Sequence, residues 1–129
     1  MGRDIFAMAR HERFLAWQRA HQLTLAIYEA SRGWPSTERY GLTAQARSAA
    51  SSAAANIAEG AARLGPREFK RFLDISLGSL GELDYHLRLA LDLGILQHDE
   101  WQRLTDLQTS AAKLVVLLAR SMKEAQSKD

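Results

Sequence analysis

The sequence has no cysteine, only two prolines and no long hydrophobic run. The lack of cysteine excludes disulfides, cysteine-ligated zinc, iron–sulfur clusters and thiol catalysis. The longest apolar run in the body of the chain covers residues 114–119, far short of the ~20 residues that a membrane span needs. With 129 residues, and 17 Lys+Arg against 15 Asp+Glu, the chain also lacks a dominant charge. We therefore expect one soluble, cytoplasmic domain without a membrane partner.

The small net charge hides an uneven distribution of charged residues. The excess of basic over acidic residues lies before residue 72, and the remainder of the chain is mildly acidic. The first part could therefore present a positive surface to phosphate groups. A mixed, solvated surface would give the same composition, so both interpretations stay open.

Four segments show the periodicity of amphipathic helices, and none shows the sustained alternation of a strand. The spacing predicts helices over residues 12–32, 37–62, 66–93 and 99–123. Short turns that contain Gly or Pro separate these segments, and Ser36 or Thr37 can cap the second helix. The core-facing seam of the fourth helix is predicted to consist of Trp101, Leu104, Leu107, Ala111, Leu114 and Leu118. The pattern predicts an all-α, antiparallel up-down-up-down four-helix bundle that forms a single domain of residues 1–129.

Small residues are frequent in the second and third predicted helices. Ten of the nineteen residues from 44 to 62 are alanine, which favours close packing on more than one side. Glycine inside a helix costs roughly 1 kcal/mol relative to alanine, so we expect close helix packing at Gly60, Gly78 and Gly81. The core-facing seam of the third helix is predicted to consist of Phe69, Leu73, Ser76, Leu80, Leu83, Leu87 and Ala90. The helix also carries apolar residues outside this seam, and these must be buried elsewhere or exposed. They are Ile75, Leu77, Tyr85, Leu89, Leu91 and Leu93.

Three polar residues lie among apolar or small residues: Asn56, Glu59 and Glu82. A buried carboxylate without a partner is costly, so each should find a hydrogen-bond or cationic partner. We interpret the three as a structural polar network that fixes helix register or subunit pairing, with a ligand site as the alternative.

The search for catalytic and metal-ligating patterns gives little. Glu59, Glu82 and His86 come nearest to a metal site, but two carboxylates and one histidine fall short of the di-iron set of helical bundles. The serines lie within helices, and no Gly-rich loop follows a strand. We predict no metal, no cofactor and no enzymatic activity.

A basic cluster surrounds the turn between the second and third predicted helices. Arginine side chains beside the N-terminus of a helix can form a phosphate site. We therefore consider a nucleic-acid contact here, with a solvated charge run as the alternative. The cluster consists of Arg63, Arg67, Lys70 and Arg71.

Three stretches resemble a known family. They are FLAWQRA at residues 14–20, SAAANIAEG at 52–60 followed by Arg63, and ISLGSLGEL at 75–83. From about Phe14 to Met122 the chain resembles the four-helix bundle proteins related to the 23S rRNA intervening sequence proteins, which are sometimes labelled ribosomal-protein-like. It is also similar to the accessory proteins of diversity-generating retroelements.

The resemblance implies a compact bundle that assembles into a ring of five subunits. For the basic accessory proteins it also implies association with a reverse transcriptase and nucleic acid, whereas this chain is nearly neutral. We predict a self-assembling scaffold or interaction module whose partners are copies of itself and a protein. The alternative is an accessory protein that binds RNA or DNA through a basic rim.

Overall fold

The computed structural model describes residues 9–127 of the chain. Residues 1–8 and 128–129 of the predicted domain lie outside the described residues. The described part is all-α and contains no strand. Its four helices are α1 (Leu15–Ser31), α2 (Leu42–Ala61), α3 (Pro66–Asp92) and α4 (His98–Ser127). Two short 3₁₀ segments, Arg10–Arg13 and Ser36–Glu38, precede α1 and α2.

The four helices enclose one hydrophobic core. Helix α2 packs against α1 and α3, and α4 packs against the same two helices. Every helix contributes large side chains that are fully buried, among them Leu23, Ile57, Leu83 and Leu104. Because each such side chain contributes about 1.5–3 kcal/mol on burial, this shared core holds the helices together.

The predicted seam of α3 is the best-matched element. All seven of its residues are buried, from Phe69 at the start of the helix to Ala90 near its end. In α4 the predicted seam is confirmed at Leu104 and Ala111, but Gln108, Val115 and Ala119 face the core as well. The leucines expected there, Leu107, Leu114 and Leu118, are only partly buried.

The start of α2 lies later than predicted. Residues 36–38 form a 3₁₀ segment, and the α-helix begins at Leu42 instead of residue 37. The carboxylate of Glu38 accepts a hydrogen bond from the Leu42 N–H at 3.0 Å, so Glu38 satisfies a helix-start donor that Ser36 or Thr37 was expected to satisfy.

Within residues 9–127, no helix combines the length and the apolar character needed to cross a membrane.

Candidate functional site

The predicted basic cluster lies where α2 ends and α3 begins. Gly65 has a φ of 87° that reverses the chain, and Pro66 occupies the first turn of α3. Arg67, Lys70 and Arg71 line one shallow surface depression. The guanidinium groups of Arg63 and Arg71 lie 5.2 Å and 4.5 Å from the ring centre of Phe72, so both lie close to the same aromatic ring.

Most of the cluster's positive charge is already paired. Arg63 binds Glu59, Lys70 Nζ lies 2.6 Å from Asp74 Oδ2, and Arg71 lies 3.3 Å from Glu68 Oε2. Each of these surface pairs joins residues three or four positions apart, and such pairs are weak enough for a phosphate to compete. Among the described residues, Arg67 is the member of the cluster without an ion pair.

The predicted polar network is only partly assembled in the single chain. Asn56 Nδ2 donates to Ser52 O at 2.8 Å and to Ser52 Oγ at 3.1 Å. Ser52 Oγ lies 2.9 Å from Ser79 Oγ, so this group joins α2 to α3. Asn56 is therefore linked to the neighbouring helix through Ser52.

Glu59 and Glu82 lie at the surface, so the burial expected for these two carboxylates is not found in the single chain. Glu59 binds Arg63, and Glu82 Oε1 lies 3.3 Å from His86 Nε2. Neither carboxylate is hydrogen-bonded to Asn56, whose amide donates to Ser52. Both were expected to be buried because their neighbours in sequence are small or apolar, yet they point away from the core.

The arrangement does not gather metal ligands. Glu59 on α2 is engaged by Arg63, while Glu82 and His86 form a pair on α3. In the described part of the chain, no three His, Asp or Glu side chains are placed to hold a metal ion.

Polar cross-links that the sequence did not reveal lie deeper in the core. Thr24 Oγ1 lies 2.8 Å from Ala20 O in its own helix and 3.0 Å from Ala50 O in α2. Ser76 Oγ donates to Ala53 O at 2.9 Å, and Gln108 Nε2 donates to Leu80 O at 3.0 Å. The sequence offered one indication of these bonds, since Ser76 is a polar residue at a core-facing position of the α3 seam.

The three glycines have different surroundings. At Gly60 a Cβ would lie 2.8 Å from Phe72 Cβ and 2.9 Å from Phe69 Cδ1, so α2 and α3 pack closely there. At Gly78 and Gly81 a Cβ would meet no atom within 4 Å. The close packing expected at these two positions is therefore absent in the single chain, because both face away from α2 and α4.

Gly78 and Gly81 share an exposed face of α3 with two large apolar side chains. Ile75 is 41% exposed and Tyr85 is 62% exposed. The spacing of these four residues places them on one side of the helix. We call Ile75, Gly78, Gly81 and Tyr85 the α3 outer face.

The comparison with known families agrees with the resemblance noted from the three sequence stretches. The family model described as "23S rRNA-intervening sequence protein" matches residues 12–116. The chain belongs to this family. Among curated proteins, no sequence matches it.

A crystal structure of another protein has the same fold as this chain. That crystal structure, from Bacteroides thetaiotaomicron, is of a protein with unknown function from the S23 ribosomal protein family. It is 17% identical, with a TM-score of 0.77 over 82% of this chain and 96% of the other. At this identity the likeness establishes the shared four-helix fold.

Proposed function

We propose that this protein is a non-enzymatic, cytoplasmic four-helix bundle that self-assembles and acts as a scaffold or interaction module. The α3 outer face is the observation that supports self-assembly. It combines two exposed apolar side chains with two glycines. Because the glycines have no side chain, a second helix could approach the backbone of α3 closely there. The neighbouring copy would cover the face that no residue of the described chain covers.

The bundle is proposed to be antiparallel, with successive helices alternating in direction. Thr24 on α1 is bonded to Ala50 on α2, whereas Ser31, further along α1, is bonded to Arg47. Rising numbers on α1 thus pair with falling numbers on α2, which supports opposite directions.

The proposed assembly is the ring of five subunits that the family resemblance implies. In such a ring each copy uses two different surfaces, one toward each neighbour. The α3 outer face would supply one of them. A ring would also repeat any weak ligand site five times, which raises avidity for a partner that spans several sites.

Charge introduced on the α3 outer face tests this proposal. The variant Ile75→Glu/Tyr85→Glu places two carboxylates in the proposed interface, and we expect light scattering to show a mass near 14.4 kDa. The matched control is Leu64→Glu, since Leu64 is 93% exposed in the turn between α2 and α3. An assembly that survives the double variant, or that the control also disrupts, would contradict this location for the interface.

Nucleic-acid binding through Arg63, Arg67, Lys70 and Arg71 is the second candidate function. The observations that favour it are the unpaired Arg67 and the two guanidinium groups held over Phe72. We expect sequence-tolerant binding that weakens steeply with salt, because neutralised phosphates release counterions.

Fluorescence anisotropy with single-stranded and duplex RNA, at low and moderate salt, tests the second candidate. We expect Arg67→Glu/Arg71→Glu to abolish binding, and Arg88→Glu/Arg103→Glu, with the same charge change elsewhere, to retain more of it. No binding at low salt, or equal binding by both double variants, would reject the cluster as the contact.

A further inference from the structure

A second basic surface lies at the end of α2 opposite to the basic cluster of Arg63, Arg67, Lys70 and Arg71, which we call the Arg63 cluster. An open groove of about 350 Å³ is formed where α1 ends and α2 begins. Its lining includes Arg32, Arg39 and Arg47 and no acidic residue. From Thr43 at this end to Ala61 at the other, α2 spans about 27 Å at 1.5 Å per residue, so the two basic surfaces are separate.

The arginines of this groove are less neutralised than those of the Arg63 cluster. Arg32 pairs with the exposed Glu29 at 2.9 Å, but neither Arg39 nor Arg47 forms an ion pair within residues 9–127. Glu38 is the acidic residue nearest to them in sequence, and its carboxylate accepts a hydrogen bond from the Leu42 N–H. Two guanidinium groups therefore remain without a carboxylate partner.

Arg47 is held in place from two sides. Its Nε donates to Ser31 Oγ at 2.7 Å, and its guanidinium group lies 4.8 Å from the ring centre of Tyr28. Because only Nε is used, the terminal N–H groups stay available to a ligand in a fixed fork. Positioning of this kind lowers the entropic cost of binding.

Two buried donors in the wall of the groove have no partner. Trp34 is 8% exposed and Thr43 is 6% exposed, and both line the groove. Trp34 Nε1 and Thr43 Oγ1 are buried without a hydrogen-bond partner among the described residues. Buried polar atoms are normally paired, so an N–H and a hydroxyl left over at one groove point to a missing acceptor.

We propose that this groove binds a phosphate group. Its oxygens accept hydrogen bonds from Arg39 and Arg47, and from Trp34 Nε1 and Thr43 Oγ1 once the lining side chains move apart to admit them. The groove is larger than one phosphate, which leaves room for the organic part of an ester. The exposed ring of Tyr40, with Arg39 lying 5.3 Å from its centre, offers a base a surface for stacking.

Isothermal calorimetry with inorganic phosphate and with a ten-nucleotide single-stranded RNA tests the proposal at constant ionic strength. We expect saturable binding by the wild type, and a loss of about tenfold in affinity for Arg39→Gln and for Thr43→Val, since hydrogen bonds to a charged group are the strong ones. The control Arg88→Gln removes one arginine on α3 and should bind like the wild type.

Thr43→Val also separates ligand binding from a structural role. The variant keeps the shape of the side chain and removes a hydroxyl that has no partner, so the melting temperature should stay equal or rise. Weaker phosphate binding together with undiminished stability supports the proposal. A lowered melting temperature with unchanged phosphate affinity would overturn it.

The two probes distinguish the source of the phosphate. Binding of inorganic phosphate alone would identify a free phosphate as the ligand, and RNA that competes with phosphate would identify a nucleic-acid backbone. No saturable binding of either probe, or equal affinity in Arg39→Gln, Thr43→Val and Arg88→Gln, would overturn the proposal. The inference does not depend on self-assembly, because the groove is formed within one chain.

Discussion

Among the helical glycines of the described chain, Gly60 has the least space for a side chain, because α2 packs closely against α3 there. An added Cβ would lie within 2.9 Å of two phenylalanine side-chain atoms and 3.2 Å from the Phe69 carbonyl oxygen. We predict that Gly60→Ala lowers the free energy of unfolding by about 1–3 kcal/mol, because overpacking outweighs the better helix propensity of alanine. Urea denaturation measures this difference.

Gly81 supplies the matched control for that experiment. It is also helical, but a Cβ there would meet no atom within 4 Å of the same chain. Both glycine variants are made in the Ile75→Glu/Tyr85→Glu background, in which the α3 outer face makes no contact with a second copy. There Gly81→Ala should lose no stability and should gain helix propensity. If Gly60→Ala is no more destabilising than Gly81→Ala, the close packing at Gly60 is wrong.

The hydroxyl of Ser76 joins α3 to α2 inside the core. It donates to Ala53 O at 2.9 Å, and the residue is fully buried. We predict that Ser76→Ala costs about 0.5–1.5 kcal/mol, the usual contribution of such a bond. Thermal unfolding should show this loss, whereas Ser51→Ala should cost little because Ser51 bonds only within its own helix. Equal effects of the two substitutions would contradict a cross-link at Ser76.

At the scale of residues, sequence reasoning identified positions but not their neighbours. Gly60 and Gly78 give the same signal, an expensive residue inside a helix, yet only Gly60 meets another helix of its own chain. The low helix propensity of glycine does not indicate which helix, if any, packs against it. Likewise, the composition around Glu59 and Glu82 hid the fact that both residues point outward.

The turn between α2 and α3 depends on Gly65. Its φ of 87° and ψ of 158° lie in a region that is essentially restricted to glycine. We predict that Gly65→Ala costs about 1–3 kcal/mol of unfolding free energy, although the added methyl would meet no atom within 4 Å. Chemical denaturation of the variant checks this loss.

Gly33→Ala is the control for the turn. Gly33 also lies between two helices, with a φ outside the positive range and a nearest atom 4.0 Å from an added Cβ. Its substitution should change stability by less than about 0.5 kcal/mol. A Gly65 variant as stable as this control would show that the turn tolerates another conformation.

At the scale of elements, the periodicity of α3 predicted seven of its eight buried residues, all but Phe72, because apolar residues repeated at helical spacing along the whole helix favour one orientation. The buried face of α4 was predicted less accurately. Its leucines outnumber the places in the core, and the amide of Gln108 faces inward because Leu80 O accepts its hydrogen bond. Helix starts were also displaced where Gly41 and a 3₁₀ segment delay α2.

At the scale of the whole molecule, stability should depend on protein concentration. A copy that binds only the folded chain stabilises it by mass action. We predict that the melting temperature of the wild type rises with concentration, and that it does not for Ile75→Glu/Tyr85→Glu. Differential scanning calorimetry over a tenfold or larger concentration range checks this. A melting temperature independent of concentration in the wild type would contradict the assembly.

The four helices and their common core could be predicted from the sequence because apolar spacing is a property of one chain. The surface could be predicted only in part. The surplus apolar residues of α3 were evident in the sequence, but the groove lined by Arg32, Arg39 and Arg47 was not, because it depends on which side chains of two helices meet. The unpaired atoms of Trp34 and Thr43 became visible only when the end of α1 was placed against the start of α2.

The mass of the wild-type protein in solution tests the central claim of self-assembly most directly. One chain has a mass of 14.4 kDa. Size-exclusion chromatography with light scattering at micromolar concentration should give about five times that value, constant across the elution peak. A mass of 14.4 kDa at all accessible concentrations would contradict self-assembly and, with it, the proposed role of the α3 outer face.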